Sequence, residues 1–252
     1  MMPSSVYAQL QSIRDARGAA YLVLIDPDRK NDGSVADRVQ AANEADVDAI
    51  LVGGSLMMDG KTHERVARVH ALSRIPVIFF PGSLSQLCPH YDAMLFMSVI
   101  SGRNPHYLVG EQVIAAPVVK DMGIETIPTG YLLMDGGAHS TVEFMSGTNP
   151  IPMNRPDIAV AHGLAAQFLG MKVLYLEAGS GARTPVSVEV IRQVNRQCDL
   201  DLIVGGGIRT PEQARERVEA GADFIVTGTV IEESGAADLL QDFSRAVHWK
   251  DV

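Results

Sequence analysis

A chain of 252 residues that is 46% hydrophobic and 20% charged has the composition of an ordinary globular protein with a sizeable core, which excludes a disordered or collagen-like chain. The length suits one eight-fold β/α barrel or two smaller domains. A net charge of -9 argues against nucleic acid, whose binding needs a basic patch, so any anionic ligand must be drawn by backbone amides, helix N-termini or a metal.

The N-terminal segment, MMPSSVYAQLQSIRDARG, has no basic stretch leading into an apolar run, so it does not read as a secretory signal and the expected location is the cytoplasm. After it, runs rich in Val, Ile, Leu and Tyr alternate with helix-like stretches, the pattern of βαβ units and a parallel sheet. A strand is expected at 20–26 and a helix at 35–45, then a strand at 49–53 and a helix at 62–72. The third and fourth strands, 77–80 and 93–99, are separated only by 81–92, which Gly82 and Pro89 interrupt and which is too short for a covering helix. A helix at 105–122 leads to the fifth strand, 125–133, and then to a long loop, 135–154, rich in Gly and Pro and read as irregular and mobile. The remaining pairs are a helix at 155–169 with a strand at 173–177, a helix at 187–196 with a strand at 202–204, and a helix at 211–220 with a strand at 224–227; a last helix covers 236–247. The longest apolar stretches, 21–25 and 75–81, fall well short of the roughly 18 residues of a membrane helix, so no span is expected.

Two internal echoes support repeated units. Glu44, Ala45, Asp48, Ile50 and Gly53 recur in the same relative positions as Glu219, Ala220, Asp223, Ile225 and Gly228. Arg183-Thr184-Pro185 recurs as Arg209-Thr210-Pro211, where Thr210 can cap a helix, Pro211 suits its first position and Gln213 completes a capping box. The fold class expected is a single (β/α)8 barrel over 1–252 with its third helix missing or replaced. Cys88 and Cys198 lack CxxC spacing or clustered histidines and read as buried thiols.

In such a barrel the working residues sit at the C-terminal ends of strands. Alternation along the sixth strand turns Tyr175 and Glu177 to the inside and Leu174 and Leu176 to the helices. A carboxylate inside a barrel is costly unless solvated, paired or at work, which makes Glu177 the leading catalytic candidate. Gly205-Gly206-Gly207 and Gly228-Thr229 end the last two strands, where small residues let backbone amides approach a phosphate; a glycine triplet alone is equally a crowded turn. Asp26 and Ser55, from the first two strands, offer oxygen ligands for Mg²⁺, although Asp26 before Pro27 is also an ordinary turn residue. Arg183 and Arg209 suit a phosphate or a helix-flanking salt bridge, and His139, His162 and Trp249 read as surface or packing residues.

These places together resemble the geranylgeranylglyceryl phosphate synthase family, through LIDPDR at 24–29, VGGS at 52–55, YLEAGSG at 175–181, VGGGIRTPEQA at 204–214 and VTGTVIEE at 226–233. The resemblance is to its long-chain group and implies a Mg²⁺-dependent prenyltransferase on a modified barrel whose third helix is replaced. It implies that Tyr175, Leu176, Glu177, Ala178, Gly179, Ser180 and Gly181, with Gly206, Gly207, Gly228 and Thr229, bind sn-glycerol 1-phosphate, and that Asp26 and Ser55 hold Mg²⁺. The second substrate is geranylgeranyl diphosphate or a related prenyl diphosphate, and the assembly a homo-oligomer, dimer or hexamer. Tyr175 and Glu177 are the implied catalytic pair, and the thin helical ring at 81–92, beside Met94 and Tyr131, is the expected tail exit. The rival is a phosphosugar isomerase or aldolase on the same scaffold, although none of the five lysines sits on a strand end as a Schiff-base aldolase requires. A non-catalytic phosphoglycerol-binding protein is the third alternative, against which Glu177 and Asp26 both speak.

Overall fold

Eight parallel strands close into a barrel in sequential order. The computed structural model describes residues 5–228 and 237–251. The strands are β1 (Ala20–Ile25), β2 (Ala49–Val52), β3 (Val77–Phe79), β4 (Ala93–Val99), β5 (Glu125–Leu133), β6 (Val173–Glu177), β7 (Asp201–Gly205) and β8 (Phe224–Thr227), each within a residue of its expected bounds. Closure is made by β8 on β1, from Ala20↔Phe224 to Val23↔Thr227.

Alternation along the strands sorts the core into two layers. Val173 and Tyr175 of β6 join Leu22, Leu51, Leu95 and Ile203 inside the barrel. Leu174 and Leu176 join the layer between sheet and helices. That outer layer is covered by α2 (Val35–Glu44), α3 (Thr62–Leu72), α4 (Glu111–Met122), α6 (Pro156–Phe168), α7 (Val188–Gln197), α8 (Pro211–Glu219) and a last helix, Ala237–Val247. Thr210 caps α8 by accepting from the Gln213 amide at 3.3 Å, while the Gln213 side chain returns to the amide of Arg209, one residue earlier than a regular capping box.

Between β3 and β4 there is only a 3₁₀ turn, Leu84–Gln86, so the helical ring is open where the sequence lacks a covering helix. Two other stretches differ from expectation. A π-helical turn, His106–Gly110, precedes α4 in place of one continuous helix. The stretch 135–154 holds a short helix, α5 (Thr141–Ser146), capped by Ser140, whose Oγ accepts from the Glu143 amide at 3.2 Å.

Ahead of β1 lies a helix the sequence reading did not assign, α1 (Val6–Arg17). Val6, Leu10 and Ile13 line one of its faces and pack against the barrel interior, and the Glu125 carboxylate accepts from the amides of Val6 and Tyr7 at 2.6 and 3.1 Å. Tyr7 donates to Asp201 at 2.6 Å and Arg14 pairs with the same carboxylate. The N-terminal end of the barrel is thereby closed, and a large cavity remains at the other end. Among the described residues no helix is long and apolar enough to cross a membrane.

Candidate functional site

The cavity has a volume of about 570 Å³ and is lined by the C-terminal ends of the strands and the loops that follow them. Of the inward residues of β6, Tyr175 and Glu177 reach it. Tyr175 is fully buried and Glu177 is 8% exposed. Glu177 Oε1 accepts from the Gly179 amide at 2.8 Å, which fixes the carboxylate at the start of the glycine turn. Burial pushes its pKa up to about 7, a rise that the Gly179 amide and the Tyr175 hydroxyl oppose. Such a group holds or releases a proton near neutral pH, the property required of a general base. Burial, and then the nearby Glu177 charge, drive the Tyr175 hydroxyl well above its ordinary range, so it stays protonated. Its Oη has no aligned hydrogen-bond partner among the described residues, which leaves it available to a ligand.

The glycine turns supply donors. The amides of Ser180, Gly181, Gly206, Gly207 and Gly228 make no hydrogen bond among the described residues, and all five residues line the cavity. Five unpaired amides in the turns after three adjacent strands offer donors of the kind that build an anion nest. The other members of the sequence-derived set divide differently. The Ala178 amide donates to Gly205 O at 3.1 Å and the Gly179 amide to Glu177, so these two shape the turn. Leu176 is fully buried between sheet and helices, on the face away from the cavity. Thr229 lies outside the described residues. Arg209 lines the cavity and donates to Ala182 O at 3.3 Å, whereas Arg183 is exposed.

Opposite this half, Asp26 and Ser55 also line the cavity. Asp26 Oδ1 packs so closely on Gly54, the neighbour of Ser55, that a Cβ there would lie 2.6 Å from it. Desolvation raises the Asp26 pKa despite Lys30, whose Nζ stands 3.5 Å from Oδ2. Asp28, covered at the rim by its own loop, accepts from the Met58 amide at 3.0 Å and so ties the loop after β1 to the loop after β2. Arg65, 4% exposed, adds a second tie by donating to Pro27 O at 3.2 Å and pairing with both oxygens of Asp59 at 2.8 Å. A carboxylate and a hydroxyl on neighbouring strand ends suit a hard cation. Among the described residues no cluster of three or more His, Cys, Asp or Glu is placed to hold a metal ion. Lys30 does reach the cavity, but exposed and ion-paired it is not the desolvated amine of a Schiff-base enzyme.

A narrow apolar groove of about 70 Å³ continues from the cavity through the gap in the helical ring. Pro81, Gly82, Ser83, Met97, Val99 and Tyr107 line both spaces. Met94 lies in the groove, as expected, while Tyr131 belongs to the main cavity, where it packs between Phe80 and Tyr175 at ring distances of 6.3 and 5.5 Å. The remaining candidates do ordinary work. His139 pairs with Glu143, His162 contacts Ile158 O, Trp249 covers Gly18 and lies under the Arg215 guanidinium, and both cysteines are buried and free.

A closed β/α barrel with a buried carboxylate between an amide nest and an apolar groove defines a phosphate-binding barrel enzyme. The chain belongs to the PcrB family, whose model matches residues 11–247. It is 46% identical over 236 residues to the geranylgeranylglyceryl phosphate synthase of Chitinophaga pinensis, covering 93% of each chain. It is 43% identical over 223 residues to the enzyme of the same name from Korarchaeum cryptofilum, covering 88% of this chain and 91% of the other. Among solved structures, (S)-3-O-geranylgeranylglyceryl phosphate synthase from Thermoplasma acidophilum in complex with sn-glycerol-1-phosphate superposes with a TM-score of 0.91 at 38% identity over 100% of both chains.

Proposed function

We infer that this chain is a geranylgeranylglyceryl phosphate synthase, a prenyltransferase that joins sn-glycerol 1-phosphate to geranylgeranyl diphosphate or a related prenyl diphosphate. The observation that carries the reading is the position of Glu177, a buried carboxylate with a pKa of about 7 set between unpaired amides and an apolar groove. The structural relative that holds sn-glycerol-1-phosphate supports the acceptor.

The amides of Ser180, Gly181, Gly206, Gly207 and Gly228 hold the acceptor's phosphate, which places its glycerol end toward Tyr175 and Glu177. Tyr175 donates to a glycerol oxygen and fixes its orientation. Glu177 takes the proton of the C3 hydroxyl as that oxygen forms a bond to C1 of the prenyl chain, and the C1–O bond to diphosphate breaks with its electron pair leaving on the diphosphate. Asp26 and Ser55 would hold Mg²⁺, which supplies Lewis-acid stabilisation of the leaving diphosphate. Lys30 adds a second positive charge at the same rim. The groove takes the tail, each buried CH₂ contributing about 0.8 kcal/mol.

The protein works in the cytoplasm, whose reducing conditions suit its two free thiols. It assembles as a homo-oligomer, dimer or hexamer, for which the outward face of α4 offers apolar surface, with Val113 66% and Ile114 56% exposed. The decisive experiment incubates the protein with labelled sn-glycerol 1-phosphate, Mg²⁺ and prenyl diphosphates of several lengths. An ether-linked prenylglyceryl phosphate is expected, and its absence at every length sinks the reading. Sedimentation of the same sample gives the assembly, where a monomer counts against the oligomer.

A further inference from the structure

Two residues lining the main cavity carry a buried side-chain oxygen with no aligned hydrogen-bond partner among the described residues, Tyr175 at Oη, which lies beside Glu177, and Gln86 at Oε1. Tyr175 belongs to the acceptor half. Gln86 is 2% exposed and stands on the other side, in the 3₁₀ turn that replaces the third covering helix. Its position is fixed from three directions. Its amide donates to Ser83 O at 3.2 Å, its carbonyl accepts from Tyr91 Oη at 3.3 Å, and its side-chain Nε2 donates to Gly54 O at 2.8 Å. The last contact also settles which side-chain atom is unpaired, because turning the amide over would bring Oε1 against a carbonyl oxygen, acceptor against acceptor. A buried acceptor held this firmly with nothing to accept from is costly, and at a ligand cavity it marks a bond the ligand completes.

The missing partner must be a donor. A diphosphate and the Asp26 carboxylate offer only acceptors, so neither can satisfy Oε1. Gly54, which Gln86 grips, is packed against Asp26 Oδ1 and precedes Ser55. Lys30, a donor lining the same cavity, is drawn to Asp26 Oδ2 at 3.5 Å; a further donor suited to that point is a water in the shell of a divalent cation, and Mg²⁺ dehydrates reluctantly and usually keeps several waters. We propose that Gln86 is a positioning residue for the cation of the diphosphate site, its Nε2 fixing the Gly54–Ser55 backbone and its Oε1 accepting from a water that hydrates the cation. The proposal rests on the reading of Asp26 and Ser55 as the cation's ligands. It gives the short segment between β3 and β4 two tasks, since Leu84 and Leu87 of the same segment line the tail groove.

The test reads metal binding without turnover, as loss of the free Mn²⁺ electron paramagnetic resonance signal at a fixed concentration of inorganic diphosphate. Outer partners of metal sites typically change affinity by about 10–100-fold, so Gln86→Met, which removes both polar atoms at nearly constant volume, is expected to weaken Mn²⁺ binding by about tenfold or more. Gln86→Glu loses the donor to Gly54 but keeps an acceptor, and is expected to weaken Mn²⁺ binding clearly less than Gln86→Met does. Equal weakening in both variants would show that only the Gly54 contact matters, and unchanged binding in both would show no part in the site; either result overturns the proposal. If Gln86→Met does not fold, Gln86→Glu decides alone, retained binding supporting the proposal and tenfold weakening overturning it. Asp26→Asn separates the two levels: if it binds Mn²⁺ as the unmodified protein does, the cation reading falls and the part given to Gln86 falls with it.

Discussion

Tyr175 and Glu177, two residues apart on β6, converge on one point above Gly205 of β7, where a Cβ would lie 2.6 Å from Tyr175 Oη and 3.1 Å from Glu177 Oε2. The pair can meet there only because position 205 carries no side chain. Gly205→Ala must therefore displace the hydroxyl, the carboxylate or the strand. Misplacement of a reacting group by about 1 Å can cost roughly 10²-fold in rate, and overpacking a core costs about 1–3 kcal/mol. The expected outcome is a kcat lowered by about 10²-fold with the fold retained, checked by steady-state kinetics beside a thermal melt. Full activity in a folded Gly205→Ala protein would remove the pair from the chemistry.

Glu177 links rate and stability to the same titration. Its pKa in the folded protein, about 7, lies above the ordinary value of 4.5. Between those two pH values the folded state keeps a proton that the unfolded chain has lost, so this group's contribution to stability falls as pH rises through the window and stays lower above it. Glu177→Gln is expected to stabilise the protein above pH 7 by something on the order of 3 kcal/mol, and to change little near pH 4.5. The same substitution lowers kcat by about 10²–10⁴-fold, the usual contribution of a general base. In the unmodified enzyme kcat/KM should rise with pH through about 7. Melting curves at pH 5 and pH 8 check the first effect; identical shifts at both pH values would show that the carboxylate carries no burial penalty.

The barrel was legible because a buried parallel sheet writes continuous apolar runs into the sequence, as in Ala93–Val99 and Val173–Glu177, and each breaks at Gly, Pro or Asp. Helix α1 went unassigned although Val6, Leu10 and Ile13 repeat at helical spacing and Gly18, with φ of 102°, ends it, because the segment stands outside the alternation of strands and helices. In the site, Tyr175 and Glu177 could be placed from strand alternation, and the glycine turns from their position at the strand ends. Which amides remain unpaired could not be, since that depends on contacts such as Gly179 N to Glu177 and Arg183 N to Gly136 O. Gln86 had no local signal either, for its significance comes from Gly54, distant in sequence.

Asp26 tests the donor half. If Asp26 anchors the cation as proposed, Asp26→Asn removes that anchor, and metal-assisted charge stabilisation is worth several kcal/mol, so kcat is expected to fall by about 10²-fold or more. Chelation with EDTA should remove activity from the unmodified protein and added Mg²⁺ restore it. Calorimetric binding of sn-glycerol 1-phosphate should survive in Asp26→Asn, because the amides proposed to hold the acceptor lie in the turns after β6, β7 and β8. Loss of both bindings together would show that the two halves of the cavity are not independent.

Met97 stands where the cavity narrows into the apolar groove and lines both. A tail that runs through this point must pass the side chain, so Met97→Trp shortens the space beyond C1 without touching Glu177 or the glycine turns. Each isoprene unit excluded forfeits at most about 4 kcal/mol of burial at roughly 0.8 kcal/mol per carbon, enough to shift preference toward shorter donors by two orders of magnitude or more. The expected result is a kcat/KM that falls most for the longest prenyl diphosphate and least for the shortest, with the KM for glycerol phosphate nearly unchanged. Competing donors of several lengths in one reaction, with products resolved by mass, measure this directly. A uniform loss across all lengths would mean that the tail leaves the cavity by another route, and that the gap between β3 and β4 serves the fold alone.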